Sequence, residues 1–171
     1  SFWDRRYQPS ATVIAAAGHV EHERVLELAE EHFGDWQGPP VDHSYGAPAV
    51  VPRVEVRTRE TEQAHLVYGG EALTRGDDRR FSFGLLNHVL GAGMSSRLFR
   101  EIREERGLAY AVYSFRMPYA DSGAYGIYAG TTPRQAGQVL DLVRAALAKL
   151  AEEGVTAEEL ERAKGNMKGS L

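Results

Sequence analysis

Residues 90–110 read LGAGMSSRLFREIREERGLAY, and the folding signals in this stretch are the strongest in the chain. Gly91-Ala92-Gly93 interrupts an apolar helical pattern and predicts a turn. From Ser95 to Arg106, apolar residues return at helical spacing with charged residues between them. Gly107 ends this pattern with the residue type that commonly closes a helix. The stretch therefore predicts a glycine turn, a short helix and a strand that begins at Leu108.

On both sides of this stretch, strand patterns alternate with amphipathic helix patterns. Period-two or short apolar runs predict five strands, at 11–17, 54–57, 64–69, 108–116 and 124–130. Helical spacing with capping signals predicts helices that end before Gly34, that follow Asp77 and Asp78, and that start at Thr132 and Thr156. Paired strands separated by helices that each have one apolar face indicate an α+β fold. This fold is a two-layer sandwich with an antiparallel or mixed sheet and helices packed on one face. We expect a single domain, 1–171, that is truncated at both ends.

Composition excludes several classes of protein. The 171 residues are 43% hydrophobic and 26% charged, as in an ordinary globular domain. The net charge of −4 offers no basic field for a nucleic acid, and the absence of cysteine excludes disulfides and thiolate chemistry. The longest apolar run, Val13–Ala17, is too short to span a membrane. We therefore expect a cytoplasmic protein that binds neither nucleic acid nor a membrane.

Residues 18–23, GHVEHE, look at first like a metal site. Zinc ligands that share one helix lie one turn apart, as in H-x-x-E-H, whereas His19 and His22 are only three residues apart. Glu21 and Glu23 need no metal to explain them, because acidic residues favour a helix start. The sequence predicts no metal site in this chain.

Two other groups of residues are candidates for binding. Gly91 and Gly93 precede a helix and resemble a weak anion loop, although the lysine of a phosphate-binding loop is missing. Arg103 lies in the last turn before Gly107, and Tyr110 lies on the strand that doubles back. The side chains of these two residues can therefore meet across the turn. A guanidinium and a phenol hydroxyl suit a peptide carbonyl or a developing oxyanion. Taken alone, the two residues are better explained by a charged helix face and a half-buried strand tyrosine.

In its context, the stretch 90–110 closely resembles the signature of the second domain of pitrilysin/insulinase-family zinc metallopeptidases, which include the mitochondrial processing peptidase. Flanking segments agree with this resemblance: Tyr7-Gln8-Pro9, residues 16–22, Glu62-Gln63-Ala64-His65, Asp121-Ser122-Gly123 and Tyr128-Ala129-Gly130. The resemblance covers nearly the whole chain.

The resemblance implies that the H-x-x-E-H zinc site belongs to a preceding catalytic domain, so that the isolated chain is inactive and zinc is a cofactor of the parent enzyme only. It implies that Arg103, Tyr110, Gly91 and Gly93 bind substrate, with no catalytic residue in this chain. The glycine loop is shorter than in the processing peptidases. The implied partners are the upstream catalytic domain, a peptide substrate, and a second copy or paired subunit in a dimer.

Two alternatives stay open at this stage. The chain can belong to a non-catalytic structural subunit, like the core subunits of the respiratory cytochrome reductase, which resemble the processing peptidases but do not cleave peptides. It can also be a regulatory domain that binds a small ligand. An upstream H-x-x-E-H motif favours the peptidase, and its absence favours the structural subunit.

Overall fold

A computed structural model describes residues 2–41, 48–49 and 51–169. The chain divides into two compact units, Ser1–Gly46 and Ala47–Leu171, and each is described separately below. The single domain expected for residues 1–171 stays a prediction.

The first unit contains two helices, α1 (Phe2–Arg6) and α2 (His22–Phe33), with a short 3₁₀ turn at Pro9–Ala11 between them. The predicted helix before Gly34 is therefore confirmed. The buried strand predicted at 11–17 is wrong, since residues 12–17 form no strand and Val13 is 89% exposed. An apolar run becomes a buried strand only where a neighbouring strand supplies hydrogen-bond partners for its backbone. The local sequence does not show whether such a neighbouring strand exists.

The second unit is built on a three-stranded antiparallel sheet. Its strands are β1 (Ala64–Glu71), β2 (Ala109–Pro118) and β3 (Gly123–Thr131), in the spatial order β1-β3-β2. All three strands were predicted, as was the β2–β3 hairpin. The strand predicted at 54–57 is wrong: Val54 and Val56 are 91% and 80% exposed, and the segment has no sheet partner in the part of the chain that the structure describes.

Four helical segments accompany this sheet: α3 (Arg80–Leu90), a π-helix (Phe99–Glu105), α4 (Ala136–Glu153) and α5 (Ala157–Gly169). Helix α4 packs on β1 and β3, α3 and the π-helix pack on β2, and α5 packs on α3. The shared core includes Leu98, Ile102, Ile127, Val139 and Val143. This arrangement confirms the predicted α+β fold with an antiparallel sheet. No helix in the described ranges is long and apolar enough to cross a membrane.

The ends of the helices confirm some predicted caps and correct others. Gly107 has φ +60, and the Leu108 N–H donates to the Ile102 carbonyl at 2.8 Å, so a glycine in the left-handed region ends the helix as predicted. Thr156 and Glu159 form the predicted capping box. Thr132 does not cap α4, which begins four residues later at Ala136. Helix α3 begins at Arg80, because the Asp77 carboxylate accepts the N–H of Arg79 in a preceding turn.

Candidate functional site

Gly91 lies where the end of α3 touches strand β2. Its carbonyl accepts the Ser114 N–H at 3.1 Å, and the Ser114 hydroxyl donates to the Asn87 carbonyl at 3.0 Å. A Cβ on Gly91 would lie 2.6 Å from the Ser114 nitrogen, closer than side chains tolerate. Gly93 is different, since a Cβ there would meet only the His88 ring at 3.4 Å. The structure therefore gives Gly91 a packing role, and the substrate-binding role of both glycines stays a prediction.

Arg97 anchors the segment between Gly93 and the π-helix. Its guanidinium donates to both Glu159 carboxylate oxygens, at 2.7 and 2.8 Å, and to the Gly154 carbonyl at 2.8 Å. The two side chains are only 18% and 17% exposed. Hydrogen bonding from Arg97, with help from Thr156, holds the pKa of Glu159 at about 2. Arg97 was expected on the solvent face, so this ion pair is a correction that only the tertiary contact with α5 reveals.

The helix that carries Arg103 is a π-helix rather than the α-helix that the sequence predicts. Leu98 and Ile102 are fully buried, while the Arg103 guanidinium lies over the Phe99 ring, 5.0 Å from its centroid. Arg103 itself is exposed. One-turn π-helical segments are rare and occur frequently at functional sites. The contact with Phe99 leaves the guanidinium donors of Arg103 available to a carbonyl or carboxylate.

Tyr110 stands at an irregularity near the start of β2. The pairing of β2 with β3 shifts register between Ala109 and Ala111, so Tyr110 is the extra residue of a bulge. Its side chain is 59% exposed, although Leu108 and Ala109 beside it are buried. Bulges often turn a side chain out of a sheet toward a functional site. The alternative of a half-buried strand tyrosine does not hold, and the exposure of Tyr110 favours a contact with a ligand.

A second feature of the sheet was not identified from the sequence. His65, Tyr113, Phe115 and Tyr128 form one cluster, which we call the aromatic face. The Tyr128 hydroxyl lies 2.8 Å from His65 Nδ1, and the rings of Tyr113 and Tyr128 have centroids 5.0 Å apart. Phe115 covers Gly126, where an added Cβ would lie 2.4 Å from the ring.

The aromatic face lies opposite the core side chains of the same strands, because side chains alternate along a strand. Tyr113 is 46% exposed. The alternation of tyrosine and phenylalanine in β2 was the signal that could have identified the face. Tyr110 precedes the aromatic face along strand β2.

Zinc ligands are not grouped in the described part of the chain. No three His, Asp, Glu or Cys side chains among the described residues lie close enough to hold a metal ion. His22 is the first residue of α2, and His19 lies in the turn before it. The donor set needed for a zinc ion is not present in these residues, so no chemical step in this chain is assigned to a metal.

Comparison with known proteins finds relatives of this chain among bacterial proteins that are named zinc proteases. The family model described as the peptidase M16 inactive domain matches residues 1–167. An uncharacterized zinc protease of Streptomyces coelicolor is 45% identical over 99% of this chain and 39% of its own length. One from Bacillus subtilis is 40% identical over 96% of this chain and 40% of its own length. The chain thus spans about two-fifths of the length of these relatives.

Solved structures agree in fold. The crystal structure of a peptidase M16 inactive domain from Pseudomonas fluorescens matches 90% of this chain and 38% of its own, with a TM-score of 0.72 and 27% identity. A protease from Helicobacter pylori matches 99% of this chain and 43% of its own, with a TM-score of 0.74 and 23% identity. The sequence resemblance at residues 90–110 is confirmed by the family model. This chain belongs to the peptidase M16 inactive-domain family.

Proposed function

We propose that this chain is the substrate-binding, chamber-forming half of a zinc-dependent endopeptidase, and that its upstream catalytic domain carries the zinc. The relatives named zinc proteases are about two and a half times as long as the matched region, which leaves room for a catalytic domain. The chemistry assigned to this chain is limited to holding the peptide and stabilising charge on it.

The observation that carries this proposal is the exposure of Arg103 and Tyr110 on either side of the Gly107 turn. Both side chains are polar and solvent-accessible, although the backbone around them is anchored by buried residues. Rigid surroundings reduce the entropy lost when a side chain binds a ligand. An arginine fork and a phenol hydroxyl can together donate to a peptide carbonyl and to the oxyanion that develops from it.

The aromatic face supports the same proposal. Tyr113 and Phe115 follow Tyr110 along β2, and their rings are partly exposed. Aromatic rings bind extended peptides with little loss of side-chain entropy. In this arrangement a peptide lies along the sheet while Tyr110 and Arg103 hold the scissile carbonyl.

Steady-state kinetics on the natural full-length protein test this role. Tyr110→Phe removes one donor and almost no volume, so kcat should fall about 10²–10³-fold, as for loss of an oxyanion donor. Arg103→Ala should lower kcat/KM at least as much, because it removes positioning as well as charge. Metal analysis should find the zinc content unchanged in both variants.

Tyr119→Phe is the matched control, since it deletes an exposed tyrosine hydroxyl beyond the end of β2 and outside the aromatic face, and it should leave kcat near the wild-type value. Wild-type kcat/KM in both the Tyr110 and the Arg103 variants would refute the substrate role. Loss of zinc or of folding in them would make these residues structural. A full-length protein without H-x-x-E-H and without peptidase activity would support the structural-subunit alternative instead.

A further inference from the structure

A small cavity opens where the first turn of α3 meets the ends of β1 and β2. Its volume is about 270 Å³. Tyr110 and Arg116 are six residues apart on β2, which corresponds to about 20 Å along an extended strand. The cavity is therefore remote from Arg103 and Tyr110, and an inference about it does not depend on the function proposed above.

Three arginines line this cavity: Arg75, Arg80 and Arg116. None of the three forms an ion pair with a carboxylate in the described ranges, whereas the neighbouring Arg79 is paired with Asp77 at 2.8 Å. Arg80 also lies in the first turn of α3, where the helix macrodipole disfavours a cation, and that turn contains no acidic residue. Positive charge thus accumulates at the cavity, where the Asp77 carboxylate, paired with Arg79, also attracts Arg80 but does not form an ion pair with it.

Two of these guanidiniums are held in place by uncharged groups. Arg116 Nη1 donates to the Arg80 carbonyl at 3.1 Å, and its guanidinium lies 5.9 Å from the centre of the Phe83 ring. Arg80 Nη1 donates to the Asp77 carbonyl at 3.2 Å, and its guanidinium lies 4.3 Å from the centre of the Phe81 ring. Each arginine has five N–H donors, so several on each side chain stay available to an anion.

The rest of the cavity wall is apolar and includes Leu73, Phe83 and Met167. A small inorganic anion would use the arginines but leave this apolar surface in contact with water. The volume lies just below the range of about 300–1,000 Å³ that is typical of drug-sized ligands, so it suits one amino-acid residue. The site therefore fits a ligand with a carboxylate at one end and an aliphatic or aromatic group at the other.

We propose that this cavity binds the C-terminal residue of a peptide, with its α-carboxylate on the three guanidiniums and its apolar side chain against Leu73, Phe83 and Met167. Arginine binds a carboxylate through two parallel hydrogen bonds, which gives this pairing geometric specificity. Fixed guanidiniums and a preformed apolar wall lower the ordering cost of binding.

The test is a titration of the 171-residue chain with N-acetyl-L-leucine, followed by amide chemical shifts in NMR spectra. The dissociation constant should be on the order of 1 mM for a ligand of this size. The shifts should be confined to the residues that line the cavity. N-acetyl-L-leucinamide, which has the same side chain without the charge, should bind at least about tenfold more weakly. Acetate, which has the charge without the side chain, should also bind more weakly.

Arg75→Gln and Arg80→Gln should each weaken binding of N-acetyl-L-leucine about tenfold. Arg134→Gln, which removes the same charge at an exposed position outside the cavity, should leave the affinity unchanged. Dispersed spectra of each variant establish that it is folded. Equal affinity for the acid and the amide would overturn the proposal, as would equal affinity for acetate, equal weakening by Arg134→Gln, or shifts elsewhere than at the cavity.

Discussion

At the residue scale, Gly91 and Gly93 lie two positions apart but have different surroundings. The Ser114 backbone fills the space where a Cβ of Gly91 would project, whereas a Cβ of Gly93 would make an ordinary contact with the His88 ring. The sequence predicts a glycine turn here, but it cannot distinguish a glycine that is needed for packing from one that is not. That distinction depends on strand β2, which is more than 15 residues away along the chain.

We expect Gly91→Ala to lower the free energy of unfolding by about 1–3 kcal/mol, since the added methyl must displace a hydrogen-bonded strand. Gly93→Ala should change it by less than about 0.5 kcal/mol. Urea unfolding of the two variants measures both values. Equal stability of the two would contradict the packing role of Gly91. A raised KM in the full-length Gly93→Ala enzyme, with normal stability, would support the predicted binding role of the loop.

Arg103 and Tyr110 illustrate a different limit of prediction from sequence. Their identity as candidates came from residue type, spacing and family resemblance, and the structure adds the π-helix, the contact with Phe99 and the bulge. The π-helix and the bulge each depend on a shift of the backbone hydrogen-bond register by one residue. Side-chain periodicity does not report such a shift, because a single extra residue changes the pattern too little.

At the element scale, the Arg97–Glu159 pair connects α5 to the segment before the π-helix. The same carboxylate accepts the N–H of Thr156 and so caps α5. The pKa of Glu159 is lowered to about 2 from an ordinary value of 4.5, chiefly by hydrogen bonding from Arg97. A lowered pKa in the folded state means that this stabilisation is complete above pH 4.5 and is lost as the pH falls toward 2.

We expect Glu159→Gln to lower the free energy of unfolding by about 1–3 kcal/mol at neutral pH, because it leaves the guanidinium of Arg97 without its charged partner. The difference from the wild type should shrink as the pH falls from 4.5 toward 2. Urea unfolding across this pH range measures the effect.

Glu161→Gln is a control on the same helix, since the ion pair of Glu161 with Lys164 is exposed to solvent and contributes little, so the variant should stay close to the wild type. A constant difference between Glu159→Gln and the wild type across this pH range would show that the ion pair is not the cause.

Some helices and strands were predicted correctly from the sequence and others were not, for a physical reason. Strands β1, β2 and β3 and helices α2, α3, α4 and α5 combine a clear period with a partner inside the chain or a strong cap. The predicted strands at 11–17 and 54–57 have a strand-like pattern but no sheet partner among the residues that the structure describes. Glu55 forms ion pairs with Arg53 and Arg57, so the charged side chains lie on one side of an extended backbone. Val54 and Val56 face solvent on the other side. The local sequence pattern predicts the backbone conformation of such a segment, but the segment becomes a strand only when it pairs with another strand.

At the scale of the whole molecule, the chain covers about two-fifths of the length of its relatives, and under the proposed function the chemistry is divided accordingly. Residues that bind or hold a peptide can lie in this part, whereas the zinc and its general base require ligand spacing that GHVEHE does not provide. His22 is the first residue of α2 and His19 lies before it, so the two histidines do not form the i, i+4 pair on one helix that H-x-x-E-H provides.

This division leads to a prediction about metal binding. The 171-residue chain should show no stoichiometric zinc site of submicromolar affinity in calorimetric titration, and it should cleave no peptide. The natural full-length protein should contain zinc, and His19→Ala or His22→Ala in it should leave the zinc content and kcat unchanged, because neither histidine is a ligand. Replacing the first histidine of its upstream H-x-x-E-H motif is the matched comparison, and it should remove the zinc and the activity. A tight zinc site in the isolated chain that is lost with His19 or His22 would contradict the division and place a metal centre in this half of the enzyme.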